Sequence, residues 1–387
     1  MMRIARPTLA VMAVFFLEAL AFSSWLPRLP EIRAGLGLDE AGLGLVLMGM
    51  PAGALAMMPV AGWLSTRLDV RSLNALGMAI LLVATAAIPL AGTATALFST
   101  LVAVGLGTGS MGVAMNAAGL AVENALGRPI LARCHAFFSI GVAAGGAVGG
   151  LAAAQGVPLA VQMPALSLAI AACLLVLARP LPRDRETTGG AGPRFAIPTR
   201  ALLPPALIAF FCLLAEGAAL DWSAIHLRDT LGAEALVGGG VVAFGGAMAL
   251  ARFFGDAISA RLGAVATVAG GALLAGCGFA AVALAPSAPI AIAGFAVAGI
   301  GVAGIVPIAF RTAGATPGLP PGVSVAAVST VGYVGFLAGP SIMGVLGALI
   351  GLAAAFGAVA AAMAIVAILS ARLGVREPDA PAGRAGS

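Results

Sequence analysis

The sequence predicts an all-α polytopic membrane protein of about twelve spans in two six-helix bundles, and three observations carry that prediction. Charged residues make up 9% of the 387 positions and hydrophobic ones 61%, whereas a soluble domain carries charge on roughly 25% of its residues. Apolar runs of about 20 residues, long enough to cross the hydrocarbon core, recur along the chain. The one long interruption, the arginine-bearing stretch 179–200, falls almost at the midpoint.

Cutting the chain at its charges, prolines and polar turns places the spans at roughly 8–27, 41–64, 72–91, 95–120, 133–154, 158–178, 202–225, 235–257, 263–285, 288–310, 323–349 and 351–371. The expected organisation is a first bundle over 1–178, a cytoplasmic connecting loop over 179–200, a second bundle over 201–373 and a disordered cytoplasmic tail over 374–387. The segment from Arg3 and Arg6 to Ala19-Leu20-Ala21 has the outline of a cleavable signal. Cleavage would remove one span and reverse the side of every later loop, so the segment is read as the first span.

Every basic residue is an arginine, and the net charge is +5. Read alone, that balance suggests nucleic acid; position argues against it. Arg28, Arg33 and Arg228 fall on one side of the twelve-span topology and the other arginines on the opposite side. By the positive-inside rule the crowded side is cytoplasmic and holds both termini. Cys134, Cys173, Cys212 and Cys277 stand singly in or beside apolar runs without metal-type spacing, so no metal and no cofactor are expected.

The halves share an internal grammar. Gly141, Gly145 and Gly150 reappear as Gly335, Gly339 and Gly344, and Gly105 and Gly107 as Gly299 and Gly301, each 194 positions on. In looser frames Gly62 pairs with Gly255, Trp25 with Trp222, and Glu18 with Glu216. Parallel repeats of six spans are an arrangement in which a solute site forms at the interface near the bilayer midplane.

The stretch from Gly62 to Arg71, with Arg67, Asp69 and Arg71, and its counterpart from Gly255 to Gly263, with Asp256 and Arg261, resemble the loop signature of the major facilitator superfamily. Thr66 stands where that signature usually has an acid. The stretches Trp25–Arg33, His135–Gly141 and Glu216–Ser223 resemble more narrowly the MosC-type bacterial inner-membrane branch. The resemblance implies a multi-pass inner-membrane transporter, a small sugar-like solute, and a cytoplasmic latch of Arg67, Asp69, Arg71, Arg252, Asp256 and Arg261. In that latch Arg252 is expected to pair with Asp256 along one helix.

Glu18 and Glu216 are the candidate coupling groups. At 1.5 Å per residue Glu18 sits ~15 Å and Glu216 ~21 Å into its span, depths at which a carboxylate must face water, find a partner or hold a proton. Asp221 and Trp222, further along the seventh span, offer a gate or a stacking wall, or an interfacial anchor. Asn116 is a candidate hydrogen-bonding group, or interhelical glue. His135 is a candidate proton relay. Glu123 is expected to pair with Arg128 or Arg133, and His226 to be exposed. The expected partners are thus a small solute, a coupling proton and the lipid bilayer, with the chain monomeric.

An exporter of amphiphilic compounds on the same fold is the nearest alternative. An enzyme would need a nucleophile beside a base, and Ser139, four residues after His135, is the only approach to one. A channel would need a filter, and a sensor without transport would normally carry a soluble domain. The G-x-G-x-x-G strings at Gly107 and Gly299 follow no strand, so they are read as helix-packing surfaces.

Overall fold

The computed structural model describes residues 2–128, 130–182 and 198–373, with side chains from Arg6 onward and without that of Asp256. Most of the connector and the tail expected to be disordered lie outside the described residues. All regular structure among those described is helical. The twelve spans are Arg6–Leu36, Glu40–Leu64, Val70–Leu90, Ala94–Leu126, Leu131–Ala154, Leu159–Leu177, Leu203–Thr230, Glu234–Gly255, Ala257–Ala283, Ala288–Gly314, Pro321–Ile350 and Leu352–Ser370. Twelve crossings return the chain to the face on which it began. That face is called here the terminal face, and the opposite one the far face.

The largest boundary difference is in the first span, expected to end near residue 27. Instead a 3-10 turn at Leu26–Arg28 leads into a helix at Leu29–Leu36, closed by Gly37 in the left-handed region (φ 63°). Pro27 and Pro30 explain the continuation, because proline is well tolerated in the first turn of a helix, where its missing N–H is not required. Spans eight and nine form one helical run, Gly239–Ala283, broken at Gly263 (φ 77°, ψ 166°), the residue at which the sequence placed the start of the ninth span.

The glycine repeat is visible as packing. Glycines press directly on neighbouring backbone, and three of these contacts recur in the other half. Gly141 meets the Phe16 carbonyl and Gly335 that of Phe210; Gly105 meets Met50 and Gly299 meets Phe244; Gly107 meets Leu81 and Gly301 meets Ala275. Every partner is shifted by the same 194 positions as its glycine. The strings at Gly107 and Gly299 are therefore packing surfaces, as close helix approach requires small residues.

That common frame corrects the pairing of the two glutamates. Phe16 and Leu20 of the first span correspond to Phe210 and Leu214 of the seventh, and both stretches are unbroken helix. Glu18 is thereby the counterpart of Cys212, and Glu216 of Phe22. The sequence match at a spacing of 198 was one helical turn out of register.

Contacts between the halves follow the same rule on the far face. A Cβ on Gly44 would lie 2.7 Å from the Pro340 carbonyl oxygen and 3.2 Å from Gly344 Cα, and one on Gly150 would lie 2.8 Å from Gly238 Cα. Spans two and eleven, and spans five and eight, thus touch backbone to backbone. Ser341 Oγ adds a hydrogen bond to the Gly44 carbonyl at 3.2 Å.

Gly44→Val would force this seam apart at a cost of about 1–3 kcal/mol, the usual penalty of overpacking. Spin labels on the far-face ends of spans two and eleven are expected to show a longer mean separation in the variant than in the wild type, measured by pulsed electron–electron resonance.

Candidate functional site: a cavity between the halves

Between the halves lies a cavity of about 1170 Å³. Its wall reaches Gly62, Leu131, Gly255 and Arg311, at the terminal-face ends of their spans, while the far face is sealed by the glycine seam. The seventh span, opened by Pro204 and Pro205 in its first turn, carries Glu216 into this wall. Span eight contributes Arg252, span four Asn116, span five His135, and span eleven Ser329, Thr330 and Tyr333.

Arg252 belongs to both halves at once. Its Nη1 donates to Ser139 Oγ at 2.5 Å and to the His135 carbonyl at 3.3 Å, both on span five. It also attracts Glu216 in the same wall, although the two form no ion pair and, among the described residues, the Glu216 carboxylate makes no hydrogen bond. The expected partner Asp256 has its side chain outside the described residues. Arg252 reaches the first half because span eight packs against span five all along this stretch, where Gly245 allows approach to Val142 and Ala143.

Asn116 donates from Nδ2 to the Gly112 carbonyl at 2.7 Å, which leaves its carbonyl oxygen for the cavity. The His135 ring stands edge-on to Phe15, with centroids 5.2 Å apart. Ser139 donates its hydroxyl to the His135 backbone carbonyl at 3.2 Å, so the Ser139–His135 approach to a dyad is not made through the imidazole.

Glu18, Asp221 and Trp222 are not brought into this wall. Glu18 is 3% exposed inside the first half, with Oε2 lacking a hydrogen-bond partner. Its position one turn from the register of Glu216 sets it deeper in the first-half packing. Asp221 and Trp222 are buried between the cavity and the far face, so Trp222 is not an interfacial anchor. His226, expected to be exposed, is 1% exposed and packed edge-on to Phe356 at 5.2 Å. The sequence reading passed over Tyr333, although the chain's single tyrosine inside an apolar span was a visible signal. Ser329 lies one helical turn before it on the same face.

At the far face Arg33 links the halves. It meets Glu40 at 2.6 Å and, from the second half, Asp229 at 2.8 Å, while Arg228 meets Asp229 at 3.9 Å and Glu234 at 3.6 Å. At the terminal face two of the anticipated latch residues have contacts within the first half. Arg67 stacks over the Trp63 ring at 5.0 Å. Asp69 caps the third span, accepting from Ser72 N at 3.0 Å and from Ser72 Oγ at 2.8 Å; the Ser72 hydroxyl holds its carboxyl below the ordinary 3.8. For Arg71 and Arg261 the structure gives no contact that joins them to this group. Glu123, expected to pair with Arg128 or Arg133, instead accepts from the N–H groups of Ile130 (2.5 Å) and Leu131 (2.8 Å), because the first N–H groups of a helix have no partner within it.

Twelve apolar spans in a parallel repeat, closed on one face and enclosing a cavity open to the other, define a polytopic membrane protein of the transporter fold. A model of the Major Facilitator Superfamily matches residues 11–318, and the chain belongs to that superfamily. It is 33% identical over 359 residues to an uncharacterised MFS-type transporter of Yersinia pestis, covering 91% of this chain and 92% of that protein. It is 30% identical over 370 residues to the membrane protein MosC of Rhizobium meliloti, covering 93% and 88%. The solved structure of the nucleoside transporter NupG superposes with a TM-score of 0.70 at 15% identity, covering 96% of this chain and all of that one, a likeness of fold alone.

Two outcomes are expected. In a double-mutant cycle of Arg33→Gln with Asp229→Asn, read as the far-face distance between the halves, the coupling should be about 0.2–1 kcal/mol and weaken with salt, as for partly exposed pairs. Asp69→Ala should cost about 0.5–2 kcal/mol. Because the folded carboxyl titrates below its unfolded value, this contribution is present above about pH 3.8 and fades as pH falls through the lowered folded value. Thermal unfolding of wild type and variant should therefore converge in strong acid.

Proposed function

We propose that the protein is a secondary active transporter that moves a small, uncharged, sugar-like or amphiphilic solute across the bacterial inner membrane by alternating access, with a proton as the coupling ion. The two six-helix bundles rock about the central cavity as a monomeric carrier. The placement of Glu216 carries the reading: a carboxylate without a hydrogen bond stands in the wall of a cavity between the halves, facing the guanidinium that ties one half to the other.

The positive-inside argument makes the terminal face cytoplasmic, so the conformation described is open inward. With Glu216 charged, Arg252 is drawn towards the second half; with a proton on Glu216 that pull ends, and Arg252 is held by Ser139 and the His135 carbonyl alone. A proton therefore has different affinities for conformations that place Arg252 differently, which is the condition for coupling. The largely apolar wall, with Leu55, Met58 and Val113 in the first half and Val306 and Phe310 in the second, favours export of amphiphilic compounds as the second reading.

In proteoliposomes loaded with a solute panel, an imposed pH gradient should drive accumulation by the wild type. Glu216→Gln should abolish accumulation, while gradient-independent exchange persists at solute concentrations roughly tenfold higher. Undiminished accumulation by Glu216→Gln would remove the assigned coupling site.

A further inference from the structure

The repeat that builds the two halves is symmetric in its glycines and asymmetric in the wall of the cavity. Where the second half places Arg252, the common frame of 194 positions places Met58 in the first, and both line the cavity. Where the second half places Glu216, the first has Phe22. The charged groups of the described wall, Glu216, Arg252 and Arg311, all come from the second half, which also supplies Tyr333. Of the two polar side chains from the first half, Asn116 gives one of its two amide N–H groups to Gly112 and His135 rests its ring against Phe15; both are uncharged amide or ring groups and not an ionic pair. The remaining first-half wall is apolar, with Met58, Met115 and Phe138 beside Leu55 and Leu131 as its large groups.

We propose that this cavity binds an amphiphilic solute in one orientation, with an uncharged hydroxylated head against Glu216 and Arg252 of the second half and an apolar body against Met58, Met115 and Phe138 of the first. The proposal rests on reading the cavity as a solute site, and names the class of solute and the residues that select it.

The chemistry of the head follows from the hydrogen bonds that the two ionic groups leave unmade. The structure gives Glu216 none, and gives Arg252 bonds from Nη1 only. The two attract without closing into an ion pair. A hydroxyl donates to a carboxylate and accepts from a guanidinium, so neighbouring hydroxyls bridge the gap without adding charge. The body follows from burial, since apolar surface moved from water onto the first-half wall adds affinity in proportion to its area.

The test titrates the full chain in lipid nanodiscs by calorimetry, against empty nanodiscs as background, with the p-nitrophenyl β-glycosides of glucose, galactose and mannose and with the three free sugars. At least one aryl glycoside should bind roughly tenfold or more tightly than its own sugar. Met58→Gln should shrink that advantage without weakening the sugar, and Glu216→Gln should weaken glycoside and sugar alike by roughly tenfold. Three results would overturn the proposal: no glycoside binds, sugar and glycoside bind equally, or Met58→Gln weakens both to the same degree. Because the comparison of glycoside with sugar uses the wild type, it decides the matter even if a variant fails to fold. The expected binding pattern without vesicle uptake would support the orientation and sink the carrier reading. Gradient-driven uptake of another solute without that pattern would sink the orientation and leave the carrier reading standing.

Discussion

Contact of bare backbone between the two halves at the far face is the constraint on which the rest of the structure depends. In lipid no hydrophobic effect drives one helix against another, so association comes from close van der Waals packing and a few hydrogen bonds. Gly44 on Gly344 and Gly150 on Gly238 supply that packing twice, at positions related by the repeat. Because the seam is tight there, the volume left between the halves collects towards the terminal face. Glu216 and Arg252 then share one cavity instead of lining separate grooves.

Much of this was legible in the chain, and the failures have a physical pattern. The spans could be read because a run of about twenty residues almost free of charge suits the hydrocarbon core and would leave a water-facing surface insoluble. The repeat could be read because several glycines pressed against backbone in one half stand 194 positions from glycines in the other. Carboxylates are under no such geometric constraint. The Glu18–Glu216 match fell four residues off the common frame, and a shift of four on a helix keeps nearly the same face while changing depth. Spacing alone therefore could not show that one glutamate lines the cavity and the other lies in the packing of the first half.

Arg252 shows a second limit. Near the end of an apolar run an arginine reads as a snorkelling or loop residue, since its long stem can reach the surface. What the sequence does not display is that span five, more than a hundred residues earlier, offers a hydroxyl and a carbonyl at the same depth. Glu123 is the mirror case, its expected arginine partner displaced by the uncapped start of the next helix. In both, the winning partner was a backbone or hydroxyl group with no signature in hydropathy or charge.

The buried Arg28 fixes the short helix that carries the far-face ion pair. Its guanidinium holds Glu31 at 2.5 Å, the carbonyl of Val157 at 2.9 Å and the side chain of Gln162, while Gln162 donates to the Ser24 carbonyl at 3.0 Å. The short helix Leu29–Leu36 is thereby riveted to the sixth span, and Arg33, on that same helix, extends to Asp229 from a rigid arm. Such an arm cannot peel away alone to release its ion pair. The Arg33–Asp229 ion pair is therefore anchored in the body of the first half and not in a loose loop at its rim.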